Sequence, residues 1–213
     1  MDTQIKSKDR VAAHGEVFTN PREVNAMLDL VKAETERLDS RFLEPACGDG
    51  NFLIEILRRK LAACEIRVKS KKYTQLKYEE NAVLAVSSIY GIELLPDNAA
   101  ACRKRLLDCF TEQYRSLFQT HCKDACIEAV RYILSKNIIL GNALTYKQVD
   151  GSGQWIHICE WSPVSDGKFN RRDYEFSRLI GEYDGDGLFS DSPSRTYTPV
   201  HFLKINAKTY GEQ

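Results

Sequence analysis

The feature that most constrains how this chain can fold is the small-residue segment Pro45-Ala46-Cys47-Gly48-Asp49-Gly50, set between two patterns of different period. Before it, residues 41–44 read as short and extended. After it, Phe52, Leu53, Ile56, Leu57 and Leu61 share one face of a helix expected over 52–63. Gly48 and Gly50 let the backbone turn sharply and approach a ligand with no side chain in the way. Strand, glycine turn and helix together open a doubly wound α/β unit. The expected fold class is therefore α/β, with a Rossmann-like sheet.

The alternation continues along the chain. Val24, Met27, Leu28, Val31 and Leu38 approach the i, i+3, i+4, i+7 spacing, and Pro21 marks a start, so a helix is expected over 24–38. The basic stretch 67–77, with Lys69, Lys71, Lys72 and Lys77, reads as a surface loop. A helix over 81–87 leads to a second strand at 88–94. Pro96 and Asp97 begin a helix running to about 114, and another helix crosses 122–134. A short apolar strand at 137–140 ends in Gly141-Asn142, and a further strand at 155–160 follows the Gly-rich turn 150–153. Beyond Pro163 the pattern decays. Residues 169–180 are expected as a short helix carrying Arg171 and Arg172, and 181–194 as a loop. Asp184, Asp186 and Asp191 suggest a calcium loop, but no glutamate stands at the closing position of an EF-hand, which favours a solvated loop. The expected division is a domain over 1–165, truncated at its C-terminal end, and an extension over 166–213.

Charge limits the function classes. Thirty basic and thirty acidic residues give a formal net charge of +0. A self-sufficient duplex-DNA binder usually carries a basic surplus, because phosphate neutralisation supplies much of its affinity. Seven scattered cysteines, a polar start and no apolar run near the roughly 20 residues of a membrane span favour free thiols in a reducing cytoplasm. His121, Cys122 and Cys126 share a helical face, but without a second ligand pair nearby they read as buried thiols, with no metal site.

Three motifs fall at expected strand ends, where open α/β sheets bind ligands. In the first, Glu44 and Asp49 flank the glycines. They would repel a pyrophosphate, and no Lys-Ser/Thr pair follows to hold one. Acidic flanks suit a ligand with an ammonium and a sulfonium, and S-adenosylmethionine has both. The second motif ends in Glu93, whose carboxylate suits two ribose hydroxyls or simply opens the next helix. The third ends in Asn142, which suits an adenine edge or a plain Gly-Asn turn.

The segment from Glu44 to Phe52 resembles motif I of the amino-methylating DNA methyltransferases of restriction–modification systems. His14-Gly15-Glu16-Val17-Phe18-Thr19-Asn20-Pro21 is similar to the N-terminal motif of the adenine-N6-specific members. The resemblance covers about residues 11–145 and implies an S-adenosylmethionine-dependent methyltransferase fold. It implies that Phe18, Thr19 and Pro21 fold over the cofactor, that Glu44, Pro45, Ala46, Gly48, Asp49, Gly50 and Phe52 cradle it, that Glu93 holds the ribose and that Asn142 reaches the adenine. The family more often has Asp at this last position.

The family's reaction also needs Asp/Asn/Ser-Pro-Pro-aromatic after the fourth strand. An exocyclic amine is a poor nucleophile, and two acceptors must polarise it while an aromatic ring stacks the flipped base. Ser162-Pro163-Val164-Ser165 is the candidate, with Ser162 and Pro163 as the catalytic pair and the second proline and the aromatic missing. Glu160 is a further possible acceptor, and Trp161 could stack a base only after the loop rearranged. Two readings follow. One is a subunit or reduced form of a restriction–modification methylase that reaches DNA through a partner subunit or recognition domain. The other is an inactive cofactor-binding regulator or scaffold.

Overall fold

Three short parallel strands organise the molecule, their side chains alternating between its two faces, with β2 buried throughout. The computed structural model describes residues 7–14, 17, 19–181 and 192–212. The strands are β1 (Phe42–Glu44), β2 (Ile89–Glu93) and β3 (Ile138–Asn142), in that order across the sheet. Leu43 lies opposite Tyr90, and Ile92 opposite Ile139. The antiparallel β4 (Lys147–Gln148) closes the β3 side.

One face of this sheet meets helices. Phe42, Ile89 and Ile138 join a cluster built mainly from α4 (Asn51–Lys69), α5 (Gln75–Ser87), α6 (Pro96–Phe118) and α7 (Asp124–Asn137). The short helices α1 (Lys8–His14), α2 (Pro21–Asp29) and α3 (Lys32–Glu36) precede β1. The expected helix over 24–38 is thus two helices, and no glycine or proline marks the break. The expected loop over 67–77 is also mostly helical: α4 runs on to Lys69, and Thr74 caps α5 by accepting from the Lys77 N–H.

The other face meets a second sheet. β5 (His157–Pro163) and β6 (Lys168–Glu175) form an antiparallel hairpin, extended by β7 (Arg195–Thr196) and β8 (Val200–His201), both against β6. Ile156, Ile158, Tyr174, Phe176 and Leu179 pack on Tyr90 and Ile92, and the Tyr90 hydroxyl donates to the Cys159 carbonyl at 3.0 Å. The expected helix over 169–180 is therefore mostly strand. Only α8 (Phe176–Gly181) is helical, because Phe169, Tyr174 and the backbone of β6 are taken up by burial and cross-strand pairing. The calcium-loop aspartates Asp184, Asp186 and Asp191 lie outside the described residues.

Two buried polar centres tie these layers together. Arg171 of β6, 3% exposed, forms a two-point pair with Asp173, donates to the Tyr132 hydroxyl and to Glu212, and stacks between Trp161, Tyr197 and Tyr210. It fastens residues 195–212 to β5, β6 and α7. Lys60 of α4 is fully buried, with its ammonium donating to Leu38 O, Ser40 O and Ser88 Oγ at 3.2, 2.5 and 2.7 Å. All seven cysteines are free thiols, five of them buried. Among the described residues no His, Cys, Asp or Glu cluster is arranged for a metal, and no helix is long and apolar enough to cross a membrane.

Two outcomes test this architecture. Replacing Arg171 by Met leaves Asp173 buried without its cation, which should cost about 3–5 kcal/mol and speed amide exchange across 195–212 first. Burial lowers the Lys60 pKa from 10.5 to about 7, so between those values the unfolded chain binds more protons than the folded one. Stability should therefore rise as pH is taken upward from about 7, and denaturant titrations of Lys60→Met should show a flatter profile over the same window.

Candidate functional site

Parallel pairing brings the carboxyl ends of β1, β2 and β3 side by side, and the glycine turn crosses this edge. The Cys47 N–H donates to Ile92 O at 3.1 Å, and the Gly50 N–H returns to Cys47 O at 2.9 Å. Gly48 and Gly50 have φ of 55° and 95°, left-handed values that suit glycine. Space adds a second reason at Gly50, where a Cβ would lie 2.7 Å from Cys102 Sγ of α6.

Glu93 links the turn to the start of α6. Its Oε2 accepts from the Gly48 N–H at 2.9 Å, and its Oε1 accepts from the Leu95 N–H at 2.9 Å and Asn98 Nδ2 at 3.4 Å. The side chain is largely buried at 7% exposure. Glu93 thus bonds the segment leading into α6 from a largely buried position, not from the surface. A carboxylate has about four acceptor positions, so room for a hydroxyl donor remains.

The two acidic flanks differ. Asp49 Oδ2 pairs with Arg105 Nη1 at 2.6 Å, whereas Asp49 Oδ1 is buried with no hydrogen-bond partner among the described residues. Arg105 also donates to Asp49 O and to Asn51 Oδ1. Glu44, at the end of β1, is half-buried, and burial raises its carboxyl pKa against the opposing hydrogen bond from the Ala46 backbone. Among the described residues no ion pair involves Glu44.

The N-terminal segment reaches the same place. Asn51 Nδ2 donates to Thr19 O at 3.2 Å, and Asn20 caps α2 through the Arg22 N–H, with Pro21 as its first residue. Phe18 lies outside the described residues. Pro45 and Ala46 are exposed on the turn, while Phe52 packs inward on the helical cluster. At the end of β3, Asn142 Oδ1 accepts from the Leu144 and Thr145 N–H groups at 2.9 and 3.3 Å. The turn reading therefore describes its oxygen, and only its amide nitrogen is suited to an adenine edge.

Ser162 and Pro163 do not join this site. They end β5, opposite Asn170 and Phe169, and line a cleft with Ser40, Arg41, Ser87 and Ser88 at the amino ends of β1 and β2. Glu160 beside them pairs with Arg41 at 2.6 Å and with Arg172 at 3.4 Å. Trp161 is buried, and its Nε1 donates to Asn137 Oδ1. Five residues of β2 span about 16 Å at ~3.3 Å per residue, which separates this end of the sheet from the glycine turn.

Sequence reasoning missed Arg105, Asn51 and Asn98. Arg105 had a signal, since it lies three residues after Cys102 and so on the helix face that meets the turn. Asn98 is buried one turn into α6, where its sequence neighbours read only as a helix start.

No curated protein and no solved structure matches this chain. A family model described as the MmeI DNA-methyltransferase domain matches residues 19–167, more than two thirds of the sequence and all of the described carboxyl-edge site. The resemblance to restriction–modification DNA methyltransferases stands on that match, and the chain belongs to the MmeI DNA-methyltransferase domain family.

Proposed function

We propose that the carboxyl edge of β1–β3 binds S-adenosylmethionine in a Rossmann-like manner, and that the chain is the cofactor-binding part of an adenine-N6-type methylase of a restriction–modification system. One observation carries this reading: of the turn's two carboxylates, Asp49 is paired with Arg105, while Glu44 keeps its charge without a cation among the described residues. Asp49 Oδ1 has no donor among the described residues. Such a site repels phosphates and attracts a ligand bearing positive charge.

When bound, the cofactor supplies a methyl group on a positively charged sulfur. Glu44 and the free oxygen of Asp49 hold the charged methionine end, and the Gly48–Gly50 backbone lets it approach closely. Thr19 and Pro21 cover that end. Glu93 accepts a ribose hydroxyl while keeping its bond to the Gly48 N–H, and the Asn142 amide meets the adenine edge. Pro45, Ala46 and Phe52 shape the turn around these contacts. The balanced charge of the chain gives it little grip on duplex DNA, so DNA recognition falls to a partner subunit or domain. Seven free thiols fit a reducing cytoplasm.

A second reading has a specific observation behind it. Ser162 and Pro163 lie at the end of the strands opposite the turn. A chain that binds the cofactor but holds no acceptors beside it would be an inactive methyltransferase that regulates or scaffolds an active one.

Titration calorimetry should detect S-adenosylmethionine binding to the whole chain. Glu93→Ala and Asp49→Ala should each weaken it by at least about tenfold, equivalent to ~1.4 kcal/mol. No heat of binding in the parent protein would remove both readings. Incubation with labelled cofactor and mixed-sequence DNA should yield no methylated DNA from this chain alone, and transfer without a partner would contradict the proposed division of labour. Acid should weaken cofactor binding. A cation stabilises the ionised form of Glu44, so affinity should fall as pH drops through its raised pKa, and Glu44→Gln should lose that dependence.

A further inference from the structure

We propose that Asn51 and Arg105 are positioning residues that join the Asp49 carboxylate to the backbone of Thr19, so that the cover over the methionine end is held by the same group that takes the ligand's charge. The inference rests on the cofactor site proposed above.

Four residues form one chain of bonds. Asp49 Oδ2 pairs with Arg105 Nη1 at 2.6 Å, and the same nitrogen donates to Asp49 O at 2.9 Å. Arg105 Nη2 donates to Asn51 Oδ1 at 3.0 Å, and Asn51 Nδ2 donates to Thr19 O at 3.2 Å. The neighbours of Asn51 dictate how its amide is turned. A guanidinium only donates and a carbonyl only accepts, so the side chain between them must offer an acceptor to one and a donor to the other. Asparagine does both. Aspartate, of the same size, would keep Arg105 but turn an oxygen toward Thr19 O.

The far end of the cover is fastened separately. Arg59 of α4 donates to Asn25 Oδ1 at 3.0 Å and pairs with Asp29 at 2.8 Å, in the later turns of α2. The Asn51 bond therefore governs the first turn of α2, where the Arg22 and Val24 N–H groups bond to Asn20 at 2.9 and 3.0 Å. Asp49 Oδ1, buried and without a donor among the described residues, is the oxygen left for the ligand. Charge gives the inference a sign. If Arg105 only neutralised Asp49, its removal would free a second oxygen and tighten the hold on a cation. As a positioning residue, its removal releases the cover and shortens the bound lifetime.

The test is stopped-flow dissociation of S-adenosylmethionine from the whole chain, with amide exchange on the same proteins. Asn51→Asp and Arg105→Met should each speed dissociation by about tenfold while association changes by less than about twofold, the usual division when a contact that holds the bound state is lost. The double variant should be no faster than the faster single one, because both cut one chain of bonds. Arg105→Lys keeps a charge beside Asp49 without the fork that reaches Asn51, and should behave like Arg105→Met. In the unliganded chain Asn51→Asp should speed exchange at Arg22 and Val24 and leave the amides of residues 25–29 unchanged, whereas a general loosening would speed both. Tighter binding by Arg105→Met, additive effects in the double variant, or uniformly faster exchange overturns the proposal. No binding by the parent protein removes the cofactor site and this role with it. Normal binding with an unchanged dissociation rate in Asn51→Asp rejects the positioning role alone.

Discussion

The Glu93 carboxylate holds the Gly48 N–H of the turn, the Leu95 N–H before α6 and the Asn98 amide at once. The carboxyl edge depends on this one group. Without it, two backbone donors would be left in a largely buried place, each costing about 1–3 kcal/mol. The glycine turn would then be held to β2 by the Cys47 N–H to Ile92 O bond without the Glu93 contact. The same carboxylate is the one proposed to take a ribose hydroxyl, so under that proposal the binding residue also shapes the site. The pairing of Arg105 with Asp49 completes the frame from α6 and leaves one Asp49 oxygen without a partner.

The layer opposite the helices fixes where Ser162 and Pro163 stand. The β5–β6 hairpin crosses the face of Tyr90 and Ile92 and then passes beneath the amino ends of the strands. Asn137 holds it there, taking the Trp161 indole N–H while donating to Ser87 O and Ile89 O. Arg171 and its ring of aromatic residues lock the rest of that layer. The Ser-Pro pair therefore sits in a well-bonded structural element at the end of the sheet opposite the glycine turn. The family match reaches residue 167 and so includes this pair, which makes its position a property of a family member and not of an unrelated tail.

Much of the carboxyl edge was legible in the sequence because its requirements are local. Gly48 and Gly50 announce left-handed backbone, the apolar face from Leu53 to Leu61 announces a helix, and Glu93 ends a strand of apolar residues. The break between α2 and α3 carried no such mark. The strand β6 was misread as helix because Arg171, Arg172 and Asp173 stand together between Phe169 and Tyr174 and leave no period-2 apolar signal. Nothing in the sequence marks Arg171 and Asp173 as buried, and their mutual pairing and the aromatic box make that burial tolerable. Asn142 remained double-valued for a different reason: one side chain can both close a turn and offer an amide.

The most direct measurement of the central claim is a crystal structure of the chain with S-adenosylmethionine. The account predicts the sulfonium methyl beside Glu44 and Gly48 at the carboxyl edge, with the ribose on Glu93 and with Ser162 and Pro163 still lining the cleft at the amino ends of β1 and β2. A methyl group lying against Ser162 and Pro163, or a cofactor bound away from the glycine turn, would contradict it.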